Sequence, residues 1–522
     1  MCLKKGSKIT FTLIVVLLLT LALFTNVSAA EKEILRATAV TPGRLTPGHM
    51  SGSAAARVSG AVYDWLVRVK PGTMEIKPEL AKSWQVSSNG KNWTIHLREG
   101  VKFHDGSKFT AEDVIYTVER ALDPDVGHAL KENFEAIAEI KKIDEYTIEF
   151  KLKEPNAKFM HVFTDYNSAI LSSSYDYAEL GDTKPMGTGP FEVESIEPTE
   201  SAILVKNTDY WVEGTPNVDE IHWSFVPDKT TQLQMLRTGA VDMAMEITPQ
   251  DVAMLRGVKG VEGKHMQGTT QIVLYMNVNE EPFEDNRVRQ ALKYTLDNEQ
   301  IIKSAYGLLY DQVEGKVTVN ESPLAPVYPE YNKIEERERD IQKAKELLEE
   351  AGYGDGLELT LYYASNYRVG PEFALALQQM ARPAGINIEL VGVPRDIYLS
   401  KHWRNVDFGI TGWGNRADPV TILRLAYKCD APWNESHFCN EKLDKLVEEA
   451  AEETSLEERK QIYKEIQEVF QKTGPVVTVN IGRWHGLNDS VKDYKEAAPF
   501  VGDWRYVTLT GDRNTYNPSE EK

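Results

Sequence analysis

The chain has 522 residues but only three cysteines, so no disulfide framework can substitute for a hydrophobic core. It lacks positive charge: 79 acidic residues face 59 basic ones, a formal net charge of -20. Nucleic-acid phosphates would repel such a surface, which excludes nucleic acid as a partner. After residue 24 no stretch is apolar for long enough to span a bilayer. Ten histidines are scattered, with no pair at metal-binding spacing and no nucleophile elbow. The Gly-rich Met186-Gly-Thr-Gly-Pro-Phe191 lacks the length, Lys and hydroxyl of a phosphate loop. These absences predict no cofactor and no metal, and they argue against an exported hydrolase, although triads need not be local in sequence.

What is there is an ordinary soluble balance, 42% hydrophobic and 26% charged, in a chain too long for one core. Residues 1–29 read as a secretory signal. Lys4, Lys5 and Lys8 precede an apolar run over 9–24, and Val27-Ser28-Ala29 offers small residues for cleavage. The alternative is an uncleaved anchor. Cys2 lies before the apolar run and so cannot be a lipoprotein cysteine at the cleavage point. Cys429 and Cys439 read as a disulfide closing a short loop. The alternative, half of a metal site, has only His437 beside it.

Along the chain, alternating segments predict strands near 33–40, 93–98 and 146–152. A Gly/Ser/Pro loop over 41–60 leads into a helix near 54–67. Thr110 with Asp113 predicts a capped helix, and His104 beside an Asp-Gly turn reads as structural. From residue 271 the texture changes. Strands near 272–277, 357–363 and 386–391 alternate with amphipathic helices over 340–351 and 371–383, the signature of an α/β domain with parallel pairing. Gly352 is placed as a helix C-cap, and Ser455 with Glu458 as a capping box on the second of two late helices. A last apolar strand runs over 475–481.

The most legible functional stretch is Phe408-Gly-Ile-Thr-Gly-Trp413-Gly-Asn-Arg416-Ala-Asp418-Pro419. A short buried strand runs into a turn carrying a flat aromatic, bare backbone and two opposite charges on one rigid support, which suits a small-molecule site. Trp413 could stack on a ligand or wedge the lobe. Gly414 lets a ligand approach the backbone, and Asn415 can donate and accept. Arg416 could fork two bonds to an anion, or pair with Asp418, or point to solvent.

The chain resembles the extracytoplasmic solute-binding proteins of ABC importers, family 5, of the dipeptide, oligopeptide and nickel-binding type. The likeness is carried by Pro78-Glu-Leu-Ala-Lys-Ser-Trp84, Phe103-His-Asp-Gly106, Gly187-Thr-Gly-Pro-Phe191, Asn207-Thr-Asp-Tyr-Trp211, Arg287-Val-Arg-Gln-Ala-Leu292, and Trp413 with Asp418-Pro419. The resemblance implies an α/β, two-lobed periplasmic-binding-protein fold (type II, cluster C) with an extra domain inserted in lobe one. Lobe one would be 33–65, 186–267 and 486–522, the insertion 66–185 and lobe two 268–485. It implies a non-enzymatic monomer, in the periplasmic space or on the outer membrane face. That monomer would capture a small peptide or other polar solute between the lobes and pass it to permease subunits. It also agrees with a disulfide after the Trp turn. Peptide-binding relatives place an ammonium-holding Asp three residues after the Trp. Here Arg416 stands there, a reversal that points to an anionic or sugar-like solute as the alternative. Met50 and Ser51, with Arg44, lie in the N-terminal loop where such relatives hold ligand backbone. Arg368, Arg395 and Tyr398 complete the expected contacts from lobe two.

Overall fold

A computed structural model describes residues 32–335, 337–497 and 501–511. The proposed signal, Cys2 and the end of the acidic tail lie outside the described residues. Three sheets organise the rest. The first has seven strands, in the order Val261–Met266, Arg483–Asn488, Met243–Ile247, Ile34–Ala39, Glu220–Phe225, Ser201–Lys206, Phe191–Glu197. The second has six: Thr318–Asn320, Val476–Asn480, Gln271–Met276, Phe408–Trp413, Leu357–Ala364, Ile386–Val393. A smaller, four-stranded antiparallel sheet, Ala81–Val86, Asn92–Leu97, Thr147–Leu152 and Ile137–Asp144, lies within the segment between the first and later strands of the seven-stranded sheet.

Gln271–Met276 is buried along its whole length, because helices and loops cover both faces of its sheet and leave no solvent side to demand polar residues. Leu357–Ala364 pairs in parallel with Ile386–Val393, register Leu357 to Ile386. Parallel strands need a crossover, and helix Gly370–Ala381 supplies it, burying Phe373, Leu377 and Met380. Helix ends follow local chemistry. Thr110 and Asp113 form the full capping box on Ala111–Leu122, Asp340 caps Ile341–Glu350, and Gly352 takes the left-handed φ of +92° beyond that helix. Only half of the box expected at Ser455 forms. Its side chain accepts from Glu458 N–H, but its own N–H goes to Glu453 Oε1 at 2.6 Å. The helix expected near 54–67 runs earlier, Gly52–Val62, because Val67–Val69 is drawn into a hairpin with Ile76–Pro78.

The chain passes between the two large sheets twice, side by side. Met266 leads to Gln271 and Asn480 leads to Arg483, with Gln271 opposite Asn480, Met266 opposite Arg483, and Ile481 N–H bonded to Thr270 O at 3.0 Å. The second crossing falls at Ile481–Gly482, ahead of the expected boundary at 485/486, since Arg483–Asn488 pairs wholly within the seven-stranded sheet. The segment carrying the small sheet leaves and returns at one point. Gly189 N–H donates to Val62 O at 2.9 Å, and a Cβ on Gly187 or Gly189 would lie 2.4 Å from Val62 backbone. His104 braces that junction, Nε2 against Gly189 O at 3.0 Å and Nδ1 accepting from Gly187 N–H at 3.3 Å. Burial holds it neutral, down to about 4. Cys429 and Cys439 are joined.

Candidate functional site

The strand Phe408–Trp413 is central in its sheet, and two glycines make room for rings. A Cβ on Gly409 would meet Tyr275 at 2.5 Å, and one on Gly412 would meet Tyr367 at 2.3 Å. The turn that follows is bolted to the first crossing. Asn415 Oδ1 accepts from Thr269 N–H (2.8 Å) and Thr270 Oγ1 (2.9 Å). Arg416 N–H donates to Thr269 Oγ1 at 2.7 Å, and Tyr328 hydroxyl donates to Arg416 O at 2.9 Å. Asp418 caps helix Pro419–Ala426, accepting from Val420 and Thr421 N–H. Asn415 and Asp418, expected as ligand contacts, are therefore brackets for the turn, their oxygens claimed by backbone and hydroxyl donors. Trp413 is only 5% exposed. Its ring stacks on Trp433 at 5.7 Å and 24°, and meets Trp403 edge-on at 6.3 Å. Its Nε1 donates to Glu435 Oε1 at 3.4 Å, while Trp403 Nε1 donates to Glu435 Oε2 at 2.6 Å. The indole thus wedges the lobe, and its stacking face is occupied. Arg416 is different. It is half-buried, gives one bond from Nη1 to Asn415 O at 3.0 Å, and forms no ion pair with Asp418 or any other described residue.

Arg416 opens onto a cavity of about 610 Å³. One wall is Asn415, Arg416 and Asp418. The other comes from the inserted segment, with Lys158, His161 and Asp165. That segment is sewn to the six-stranded body beside the cavity. Lys158 ammonium pairs with the buried Glu330, which also meets Arg459 Nε at 3.2 Å, and Ala157 N–H donates to Ala451 O at 3.0 Å. Burial raises the Asp418 carboxyl, and Lys158 across the cavity pulls it back.

A buried ionic network lies by the second crossing. Arg57 Nε is 2.7 Å from Glu496 Oε2, Arg483 Nη1 is 3.1 Å from Glu496 Oε1, and His485 Nε2 is 3.2 Å from Glu496 Oε2. Glu246 joins through Arg57 at 3.6 Å and accepts from Ser53 Oγ at 2.6 Å. Arg483 Nη2 reaches Thr270 Oγ1 at 3.4 Å, tying the network to the crossing. Burial alone would favour the neutral acids, but Arg57 and Arg483 outweigh it. They hold Glu246 at about 2 and Glu496 well below the carboxylate range. Sequence reasoning missed this cluster, which draws on segments near 57, 246, 483 and 496. One signal was present: a lone Arg57 in Gly-Ser-Ala-Ala-Ala-Arg-Val, where a charge in a small-residue helix demands a partner.

Residues 75–434 match the family model described as bacterial extracellular solute-binding proteins, family 5. The chain belongs to this family. Heme-binding protein A of Haemophilus influenzae is 30% identical over 522 residues, covering 93% of each chain. Di/tripeptide-binding protein 3 of Pseudomonas aeruginosa is 28% identical over 478 residues, covering 85% of this chain and 88% of that one. Among solved structures, HbpA2 from Haemophilus parasuis superposes with a TM-score of 0.79 at 26% identity, covering 92% of this chain and 100% of that chain. As a family-5 member the protein is a solute-binding receptor, and family members act outside the cytoplasm. No helix among the described residues is long and apolar enough to cross a membrane.

The remaining expected contacts of this family-5 receptor separate into two sets. Arg368 and Arg395 are both exposed, and their guanidinium groups lie over Tyr367, at 5.3 and 4.4 Å from its ring centre. Tyr367 packs at Gly412, and neither arginine lines the cavity beside Arg416. Ser51 is exposed before helix Gly52–Val62 and makes no capping bond. The others are engaged elsewhere. Arg44 Nε donates to Asp182 Oδ2 at 2.8 Å. Met50 is buried, its N–H on Asn167 Oδ1 at 3.0 Å and its sulfur accepting from Ser59 Oγ. Tyr398, 1% exposed, meets Tyr275 hydroxyl at 3.2 Å and is a core residue, not a cleft contact. Its partner Tyr275 lies on the buried strand Gln271–Met276, where the hydroxyl is satisfied without water.

Proposed function

We propose that this chain is an extracytoplasmic receptor that captures a short peptide or related polar solute bearing a carboxylate, and delivers it to an ABC permease. The observation that carries this reading is Arg416, a half-buried guanidinium with no ion pair among the described residues, held at the edge of a cavity between two bodies of the fold. A guanidinium matches a carboxylate with two parallel bonds and keeps its charge at any physiological pH. The two large sheets act as lobes about the paired crossings, with the inserted segment moving with lobe one. Work is done by differential binding: a ligand that is to move the lobes from 1:99 open to 99:1 closed must favour the closed form by about 5.5 kcal/mol. No covalent step enters. The protein acts as a monomer, released by cleavage of its N-terminal signal. A non-peptide anion or a sugar-like solute on the same fold is the alternative.

Native mass spectrometry of receptor purified from its own host identifies the retained solute. Calorimetry on Arg416→Ala then tests the assignment, with an expected loss of affinity of about tenfold or more for a carboxylate ligand. Unchanged affinity would remove Arg416 from the site.

A further inference from the structure

The strand Val261–Met266 is the last of the seven-stranded sheet. It pairs on one side only, with Arg483–Asn488, in a register that runs from Val261 opposite Asn488 to Met266 opposite Arg483 without a bulge. Every second residue of such a strand turns its N–H and C=O away from its neighbour, and no strand among the described residues receives them. Natural sheets guard an open edge with lysine, proline or a bulge. This edge has no proline, carries Gly263 near its middle, and its one lysine, Lys264, is folded back with Nζ on Tyr494 O at 3.2 Å. A groove of about 490 Å³ runs beside it. Residues 261–265 line one side, Val252, Leu255 and Arg256 adjoin them, and Gln312 and Lys316 come from the six-stranded body. The charge of the groove opposes that of the whole protein: Arg256, Lys264 and Lys316 stand with one acid, Glu262, in a chain of formal charge -20. None of the three cations forms an ion pair among the described residues. Arg256 donates to Leu308 O, and Lys316 to Gln312 O at 2.9 Å, bonds that leave the charges uncancelled. His265 adds none, since burial holds it down to about 4. An open sheet edge, a groove and uncompensated cations together suit an extended chain that pairs through its backbone and carries acids.

We propose that this groove is a second peptide site, in which a short acidic peptide adds as an eighth strand along Val261–Met266 and its carboxylates meet Arg256, Lys264 and Lys316. Alternating acidic and apolar residues fit it, because successive strand side chains point to opposite faces and Val252 and Leu255 line the groove beside the cations. The site shares no lining residue with the cavity at Arg416 and does not rest on that assignment. A second copy of this chain would set the same three cations against themselves, which disfavours edge-to-edge pairing of two copies. Lys316 belongs to one body and the strand to the other, so a bound peptide would touch both.

The probe is a hexapeptide of alternating glutamate and valine, acetylated and amidated so that neither end is charged. Calorimetry on the full chain should show binding, and none for the same peptide with lysine in place of glutamate. Methylating every second backbone nitrogen, in each of the two possible phases, reads the strand pairing. One phase should lose about tenfold or more and the other little, since only alternate N–H groups enter the sheet. Lys316 is exposed, so Lys316→Glu should keep its melting temperature while binding the probe about fivefold or more weakly. Hydrogen exchange should show the probe protecting residues 261–266. No binding, equal binding of the lysine peptide, an equal effect of both methylated phases, or full affinity in Lys316→Glu overturns the inference. So does protection that omits 261–266; protection at 413–418 in its place would put the peptide in the cavity at Arg416 and leave the receptor reading intact.

Discussion

Glu496 is the acid on which the network at the second crossing converges, and replacing it by Gln tests the electrostatic account directly. Its two oxygens serve Arg57 at 2.7 and 3.3 Å, Arg483 at 3.1 Å and Tyr494 hydroxyl at 3.1 Å. Glu496→Gln keeps the shape and one acceptor but removes the charge, leaving two buried guanidinium groups with only the more distant Glu246. Breaking a buried ion pair from one side costs about 3–5 kcal/mol, because the remaining charge is uncompensated. With Glu246 still present the lower end, about 3 kcal/mol, is expected. The pH dependence has a fixed sign. The folded carboxyl lies well below its ordinary value, so its stabilisation is fully present above the unfolded value of about 4.3 and is lost as pH falls toward the folded one. The gap between wild type and Glu496→Gln should therefore be widest at pH 6–8 and narrow progressively below about pH 4. Urea unfolding of both proteins at pH 7 and at steps down to pH 3 measures it, with the lobes fitted separately if unfolding is not two-state. A gap below about 1 kcal/mol at pH 7, or one that does not shrink in acid, would refute the view that these charges stabilise the hinge.

Two further outcomes follow from the turn. Asn415→Ala leaves Thr269 N–H and Thr270 hydroxyl without their acceptor and should cost about 1–3 kcal/mol in urea unfolding, with ligand affinity falling as well because Arg416 is no longer positioned. Glu435 is fully buried, its carboxyl raised to about 8 by burial against the pull of two indole N–H donors. The folded state thus holds a proton that the unfolded chain releases near pH 4.3, so wild-type stability should decline as pH rises from about 4.3 to about 8. Glu435→Gln should flatten that decline and abolish a tryptophan-fluorescence titration centred near 8.

Much of the fold was written in local patterns. Thr110 with Asp113, Asp340 with Gly352, and the apolar run Gln271–Met276 each name their own structure, because capping and burial are short-range demands. The Cys429–Cys439 pair was equally legible from its spacing. The site was legible only in outline. The sequence places Trp413, Asn415 and Asp418 together on a turn, but their roles are decided by partners far along the chain: Trp433 and Trp403 cover the indole, and Thr269 and Thr270 take the amide oxygen. Asp165 sits between two 3-10 turns and caps the second, and only the docking of the inserted segment brings it to the cavity that Arg416 lines. Arg57 needed Glu496, more than four hundred residues away.

The contacts between the inserted segment and the six-stranded body have a consequence for motion. Because Ala157 bonds to Ala451 and Lys158 to Glu330, the three bodies form a closed ring and not a pair of jaws on one hinge. A pair of jaws opens by bending alone, whereas a ring must also part at one of its seams. Here that means wetting Glu330 and both of its cations at once. Opening of the lobes by this route would then be a thresholded event, with its barrier at the Lys158–Glu330 seam and not at the crossings.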